Sequence, residues 1–306
     1  MRHIIAKFIG FGFNILSLFA PQKAADRAAK FFSTPVKPHL REKERVFLNT
    51  ARQVRRSFGE QSIIEYHWGE EKAPLVLLSY GWSYNAGRWR YFVPRLVEAG
   101  YRVLAYDPPG HGLAPAGTLN IPLNAAIIRG LLEEYGPAHA IVGHSFGGTS
   151  SVYALQHLPE KLHPRRMVVM ASFSYAPSVF KDFKNILGLW SPLYWRMVRG
   201  FEQKIGHSIE RFDFAMMAGG FAHIEGLLIH DPKDSVTPYQ EAKRYHDFWP
   251  GSHLFSPQSG GHHLGTKEIT GTVIDFVQNG KLPTNAKIQE RNITADHELV
   301  RFFAGL

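Results

Sequence analysis

Apolar and polar residues follow two rhythms along this chain, one helical and one extended. The helical rhythm comes first. From Ile4 to Phe19 the residues are mostly Ile, Phe, Leu and Gly, and the polar or small positions His3, Lys7, Gly10, Asn14 and Ser17 recur at intervals of 4, 3, 4 and 3. Pro21 ends the pattern. Arg41 to Arg56 reads as a second amphipathic helix, with Val46, Phe47, Ala51 and Val54 on its apolar side. Ser62–Trp68 alternates and predicts a strand, and Leu75–Ser79 is a continuous apolar run of the kind that forms a buried parallel strand. Helical and extended patterns then take turns. The helices are Trp89–Ala99, Ala125–Tyr135 and Thr149 to about Leu158; the strands are Tyr101–Tyr106, Ala138–Val142 and Arg166–Ala171. A second series follows: strand Gly226–His230, helix Pro238–Phe248, strand Ser252–Phe255, helix Ile269–Gln278. This alternation predicts an α/β fold, a mostly parallel twisted sheet with helices on both faces.

Two segments break the rhythm. Between Phe173 and Ile224 no buried strand is legible, and the stretch is rich in aromatics, among them Phe180, Phe183, Trp190, Trp195 and Phe201. It is too long for a plain loop and predicts a helical cap over the strand ends, where such sheets place their sites. An apolar cap suits an apolar substrate, although aromatics of this kind also serve simply to pack a cap. After Gln278 the chain turns polar until 296–303, which reads as a terminal helix. The expected organisation is an apolar helix at 1–21, a basic linker or helical segment at 22–60, a core at 61–172 and 225–280, the cap at 173–224 and a tail at 281–306.

Charge sharpens the reading of the N-terminal part. The 306 residues carry a net charge of +9, but residues 1–60 hold 12 Lys/Arg against four acids, so the remainder is nearly neutral. A basic segment with an apolar start suits an anionic membrane surface better than nucleic acid, for which no recognition motif is present. Sixteen helical residues span about 24 Å, short of the roughly 30 Å hydrocarbon core. Three readings stay open for residues 1–21: an interfacial helix or membrane anchor, a helix docked on the protein, and a cleaved signal peptide. Lys7 within the apolar run and the lack of a clean A-x-A site count against cleavage. Gly10-Phe11-Gly12 lacks both the third glycine and the preceding strand of a dinucleotide loop. The chain has no cysteine, which excludes disulfides, thiolate metal sites and a cysteine nucleophile.

The candidate chemistry centres on Gly143-His144-Ser145-Phe146-Gly147, a G-x-S-x-G sequence between a strand and a helix. That is the pattern of a nucleophile elbow. Roughly one chain in ten of this length contains it by chance at average glycine and serine usage, so it needs an acid and a histidine downstream. The acid candidate is Asp234, in the loop after Gly226–His230, with Asp231 as its rival; a turn-forming Asp before Pro232 is the plainer reading of Asp231. The base candidate is His262, past Ser252–Phe255, with His263 as the alternative. A serine hydroxyl needs such a base, and the imidazole needs a carboxylate to fix its tautomer. An oxyanion hole needs two N–H donors. One is expected from Phe146, directly after the serine, and the other from Trp82 in the loop after Leu75–Ser79. Asp107-Pro108-Pro109-Gly110-His111-Gly112 makes a rigid turn at a strand end; His111 and His144 read as structural. Adjacent histidines without an acidic cluster do not suggest a metal site, and no cofactor is expected.

Together these pieces resemble the α/β-hydrolase superfamily over about residues 60–280. The matching pieces are the elbow at 143–147, Asp-x-Pro-Gly-His-Gly at 107–112, the Asp234-x-Val-x-Pro loop and Gly-His at 261–262. Within the superfamily the chain looks like bacterial serine esterases and lysophospholipase-type members. The resemblance implies the α/β-hydrolase fold, Ser145, Asp234 and His262 as catalytic triad, and backbone N–H groups of Trp82 and Phe146 as oxyanion donors. It implies a carboxylesterase- or lipase-like serine hydrolase that forms an acyl-enzyme on a small-molecule or lipid ester. Acyl transfer, C–C hydrolysis and perhydrolysis use the same triad and stay open, as does a non-catalytic binding role. Haloalkane dehalogenases and epoxide hydrolases use an aspartate nucleophile, against which Ser145 argues. Many members have His-Gly where this chain has Tyr80-Gly81. The expected partners are the substrate and a membrane surface met through residues 1–60, with no nucleic acid. Membrane association is the expected location and the cytoplasm the alternative.

Overall fold

A strand covered on both faces must be apolar at every position rather than at alternate ones. Leu75–Ser79, Ala140–His144 and Arg166–Met170 come close to that demand: every residue in them is buried, and their polar members Ser79, His144 and Arg166 stand at strand ends. They form the middle of the sheet in a computed structural model that describes residues 2–36, 39–59, 61–282 and 288–289. The chain begins with α1 (Arg2–Phe19), α2 (Pro21–Phe32), α3 (Glu42–Leu48), β1 (Arg52–Phe58), β2 (Gln61–Trp68), β3 (Leu75–Ser79) and α4 (Val93–Glu98). It continues through β4 (Arg102–Asp107), α5 (Ile121–Tyr135), β5 (Ala140–His144), α6 (Phe146–Gln156), β6 (Arg166–Met170), α7 (Ala176–Leu187), α8 (Ser191–Ile205) and α9 (Phe214–Ala218). β7 (Glu225–Ile229), α10 (Tyr239–Phe248), β8 (His253–Phe255), α11 (Lys267–Asn279) and β9 (Ile288–Gln289) complete it.

The described residues divide into two compact units, Met1–Pro35 with Tyr175–Asp213, and Val36–Ser174 with Phe214–Leu306. The larger unit holds one sheet in the order β1-β2-β4-β3-β5-β6-β7-β8-β9. β3 to β8 pair in parallel with β4 beside them, while β1, β2 and β9 run antiparallel to their neighbours. Leu96 of α4 and Ile269, Val273, Phe276 and Val277 of α11 pack with Val76, Leu78, Val142 and Val168 of the sheet. α5 packs on α6, and α6 on β3, β5 and β6. Because the central strands are parallel, their C-terminal ends lie along one edge, and the loops that follow them meet there.

The smaller unit is helical. Ala24, Ala25 and Ala28 of α2 are small enough to bring its backbone close to α8, where Leu193, Tyr194, Met197 and Val198 share their core. The Phe32 ring lies 4.8 Å from that of Phe180, tilted, and 4.9 Å from that of Phe183, edge-on, so several aromatics of the 173–224 stretch serve this core. Pro21, which ends the first helical pattern, is the first residue of α2, where its missing N–H costs nothing.

One expected element is corrected. The helical pattern over Arg41–Arg56 gives way at Leu48, and Arg52–Phe58 forms β1 inside the range read as linker or helix. The cause is non-local. Arg52 to Phe58 pairs residue by residue with His67 to Gln61, around a turn in which Gly59 has φ 58°. The pairing is locked by Glu65, whose fully buried carboxylate takes hydrogen bonds from Arg56, from His67 at 3.0 Å and from Tyr135 at 2.7 Å. Burial alone would raise that carboxyl, but these donors hold it below the usual carboxylate range. Trp89–Ala99 also differs: it starts as a 3₁₀ turn at Ala86–Tyr91 before α4 begins. The helix expected at 296–303 lies outside the described residues.

Removing Glu65 takes away the acceptor shared by Arg56, His67 and Tyr135. Glu65→Ala should therefore cost roughly 1–3 kcal/mol in urea unfolding, and Glu65→Gln, which keeps an acceptor, clearly less.

Candidate active site

β5 ends at His144, and Ser145 follows with φ 52° and ψ −125°, in a region a residue with a Cβ seldom adopts. The turn is so tight that neighbours without side chains are required. A Cβ on Gly143 would lie 2.4 Å from the Cα of Gly148, and one on Gly147 would lie 2.4 Å from the carbonyl oxygen of Ser79. The turn is pinned by the Ser145 N–H, which donates to the Met170 carbonyl at 2.8 Å. The N–H groups of Gly148 and Thr149 in turn donate to the Ser145 carbonyl at 3.0 and 3.2 Å. Phe146 is the first residue of α6, so its N–H has no partner within the helix and meets the positive end of the helix dipole.

The other candidates arrive on neighbouring loops. Asp234 follows β7 and His262 follows β8. His262 Nε2 stands 3.1 Å from Ser145 Oγ, and its Nδ1 stands 2.9 Å from Asp234 Oδ2. A carboxylate can only accept, so Nδ1 carries the hydrogen and Nε2 is free to accept from the serine hydroxyl. The Asp234 side chain is buried. Its Oδ1 accepts from the N–H groups of Val236 and Thr237 at 2.7 and 3.0 Å, and Oδ2 lies 3.3 Å from His230 Nε2. Burial would raise this carboxyl, but hydrogen bonds from His230, His262, Thr237 and Val236 outweigh it and hold Asp234 well below the usual range. The acid is thus ionised wherever the protein is folded near neutrality.

The loop bearing His262 is gripped at three successive residues. Asp231, the rival acid, accepts from the N–H of Gly261 at 2.6 Å and from that of Lys233 at 2.8 Å. His144 Nε2–H donates to the His262 carbonyl at 2.7 Å, and Arg88 donates to the His263 carbonyl at 2.6 Å. The exposed His263 ring packs near Tyr84, 6.5 Å between ring centres. Burial, with the Arg88 charge adding to it, pushes His144 well below the ordinary histidine value. Burial also lowers Arg88 itself, to about 10.

Trp82, the other expected oxyanion donor, lies in the loop after β3, its ring 5.1 Å from that of Phe146. A second hub fixes this loop. Asp107, at the end of β4, is fully buried and accepts four hydrogen bonds. Tyr80 donates at 2.6 Å and the Ala86 N–H at 2.9 Å to Oδ1, and Tyr66 donates at 2.7 Å and the Leu113 N–H at 2.8 Å to Oδ2. Tyr80, where many members of the superfamily have histidine, is thereby a strut between two loops. His111 accepts from the Ser83 N–H at 2.9 Å and donates from Nδ1 to the Pro109 carbonyl at 3.1 Å. It braces the same loop, with both ring nitrogens engaged. Sequence reasoning named Asp107 only as part of a rigid turn and missed its carboxylate as a hub, and it missed His230 and Arg88 as parts of the site. Only the strand-end positions of Asp107 and His230 carried a signal. Among the described residues no group of three His, Asp or Glu side chains suits a metal ion.

The neutral His144 has a consequence for pH. Its folded-state value is depressed, so the unfolded chain takes up a proton that the folded chain refuses. The stability involved is complete above about pH 6.5 and is lost as pH falls below it. The urea midpoint should drop from pH 7 toward pH 5, and His144→Gln, which keeps the N–H donor, should drop less. Buried His111, lowered in the same way, accounts for a residual decline.

Comparison with known proteins agrees with the fold. The sequence profile described as "Alpha/beta hydrolase family" matches residues 75–264. Over 260 residues the chain is 26% identical to a bifunctional esterase/perhydrolase of Acinetobacter calcoaceticus, covering 69% of this chain and 94% of that protein. It is 34% identical over 111 residues to epoxide hydrolase A of Mycobacterium tuberculosis, covering 35% of this chain and 33% of that one, so it spans only a third of that relative. Among solved structures, an esterase from Exiguobacterium antarcticum superposes with a TM-score of 0.55 at 18% identity, covering 71% of this chain and 96% of its own, a likeness of fold. With its parallel sheet, its elbow after β5 and a family match across most of the larger unit, the chain belongs to the alpha/beta hydrolase family.

Proposed function

We propose that this family member is a serine hydrolase that cleaves carboxylic esters through an acyl-enzyme, with Ser145, His262 and Asp234 as its catalytic residues. The observation that carries the reading is the hydrogen-bonded line from Ser145 Oγ through the His262 ring to the Asp234 carboxylate. In the first step Ser145 Oγ bonds to the carbonyl carbon while its proton passes to His262 Nε2. The charge left on the carbonyl oxygen is met by the N–H groups of Trp82 and Phe146, and Asp234 stabilises the imidazolium. Collapse breaks the bond to the alcohol, which leaves with the proton from Nε2. Water then adds to the acyl carbon with His262 as base, the acid departs and Ser145 regains its proton.

The name of the Acinetobacter calcoaceticus relative favours one second reading, in which hydrogen peroxide replaces that water and the product is a peracid. Peracid formation, measured by halide oxidation with an acyl donor and peroxide, separates the two. Ser145 also stands against an epoxide substrate, since the epoxide hydrolases of this superfamily use an aspartate nucleophile.

With p-nitrophenyl acetate and butyrate, Ser145→Ala should lower kcat/KM by about 10⁴-fold, and Asp234→Asn should lower kcat by about 10²- to 10⁴-fold with KM little changed. Turnover by Ser145→Ala within tenfold of the unaltered protein would contradict the assignment.

A further inference from the structure

Amphipathic helices in proteins turn their apolar face to the core and their polar face to water. α1 is apolar on both sides. Ala6, Ile9, Phe13 and Leu16 pack against the core of the helical unit, and Gly10 and Asn14 are buried beside them. Gly10 lies so close to the Leu187 carbonyl that a Cβ there would be 1.9 Å from its oxygen. Asn14 donates to the Gly188 carbonyl and accepts from the Trp190 N–H, both at 2.9 Å. Lys7 donates to the Asn185 carbonyl at 2.6 Å. The opposite face is open: Ile4 is 61% exposed, Phe8 71%, Phe11 59%, Leu18 62% and Phe19 84%. Trp190 (44% exposed) lines the same shallow groove as Ile4, Phe8 and Phe11, and Ile186 and Trp195 of α7 and α8 add exposed apolar surface in this unit. Monomeric proteins rarely leave so continuous an apolar patch uncovered.

We propose that this face binds in the plane of an anionic lipid bilayer, with α1 lying along the surface. Charge selects the occupant. Residues 1–35 and 175–213 together hold 11 Lys/Arg against five Asp/Glu. A second copy of the same unit would bring like charge against like, and a nucleic acid would meet phenylalanine and isoleucine. Anionic headgroups attract the basic residues while the acyl boundary takes the aromatics, the arrangement of interfacial helices. Exposed Trp190 and Trp195 suit the headgroup level. No described helix is long and apolar enough to cross a membrane, and α1 is tied to residues 185–190 by side-chain bonds. The surface therefore lies on a bilayer and does not span it.

The proposal is independent of the catalytic reading and has its own readout. Full-length protein is floated with vesicles of phosphatidylcholine alone or mixed with phosphatidylglycerol. Flotation should be stronger with phosphatidylglycerol, fall with added salt, and be the same for Ser145→Ala. The double variant Phe8→Ser, Phe11→Ser removes two exposed rings. It should keep its circular dichroism and its turnover of a soluble short ester, and should lose at least about tenfold in vesicle partitioning. Equal flotation of the double variant and the unaltered chain, or no flotation of either, overturns the proposal. So does a double variant that converts a dimer to a monomer in sedimentation with no vesicle binding, because a second copy then covers the face.

Discussion

The candidate site depends on one backbone constraint, the positive φ at Ser145. That conformation lifts a side chain off the end of a buried strand and sets it against the first turn of α6, where unpaired N–H groups lie. It survives because both sides of the turn are over-determined. Gly143 and Gly147 leave room for α6 and for the Ser79 carbonyl, and the Met170 carbonyl and the N–H groups of Gly148 and Thr149 hold the Ser145 peptide. The sheet places the remaining groups by topology. Loops after parallel strands open on one edge, so residues 89 and 117 positions further along the chain come to the same point.

Holding an imidazole within hydrogen-bond reach of a hydroxyl takes more than the imidazole. Three backbone groups in a row, the N–H of Gly261 and the carbonyls of His262 and His263, are held by Asp231, His144 and Arg88. The Trp82 loop is held in a comparable way by Asp107 and His111. Several residues that look like chemistry in the sequence thus do mechanical work. Asp231 is an acid at a strand end, and His144 and His111 are histidines near a serine. Their burial keeps both histidines neutral, which suits His144 to its one donated bond and His111 to a donor–acceptor bridge.

The fold class was legible because buried parallel strands must be continuous apolar runs, and each such run in this chain is bounded by turn residues. The order of serine, acid and histidine was legible for the same reason, since each follows one of those runs. Residues 52–58 were not. Val46, Phe47, Ala51 and Val54 fit a helical period, and the decision for a strand came from pairing with 61–67 and from the buried Glu65. The role of Asp107 was also hidden, because its partners lie 41 residues upstream at Tyr66 and 27 at Tyr80. The periodicity of α1 was visible in the sequence, but which face would turn inward was not. That was decided by the packing of Ala6, Ile9, Phe13 and Leu16 on the helical core and by the carbonyls of Leu187, which Gly10 leaves room for, and Gly188, which Asn14 bonds.

The central claim is that Ser145 is a nucleophile activated by His262. Labelling with a fluorophosphonate followed by peptide mapping tests it most directly. The account predicts one adduct, on the peptide carrying Ser145, formed by the native protein and lost in His262→Ala and on unfolding in urea. An adduct elsewhere, or one on Ser145 that forms equally fast without His262, would contradict it.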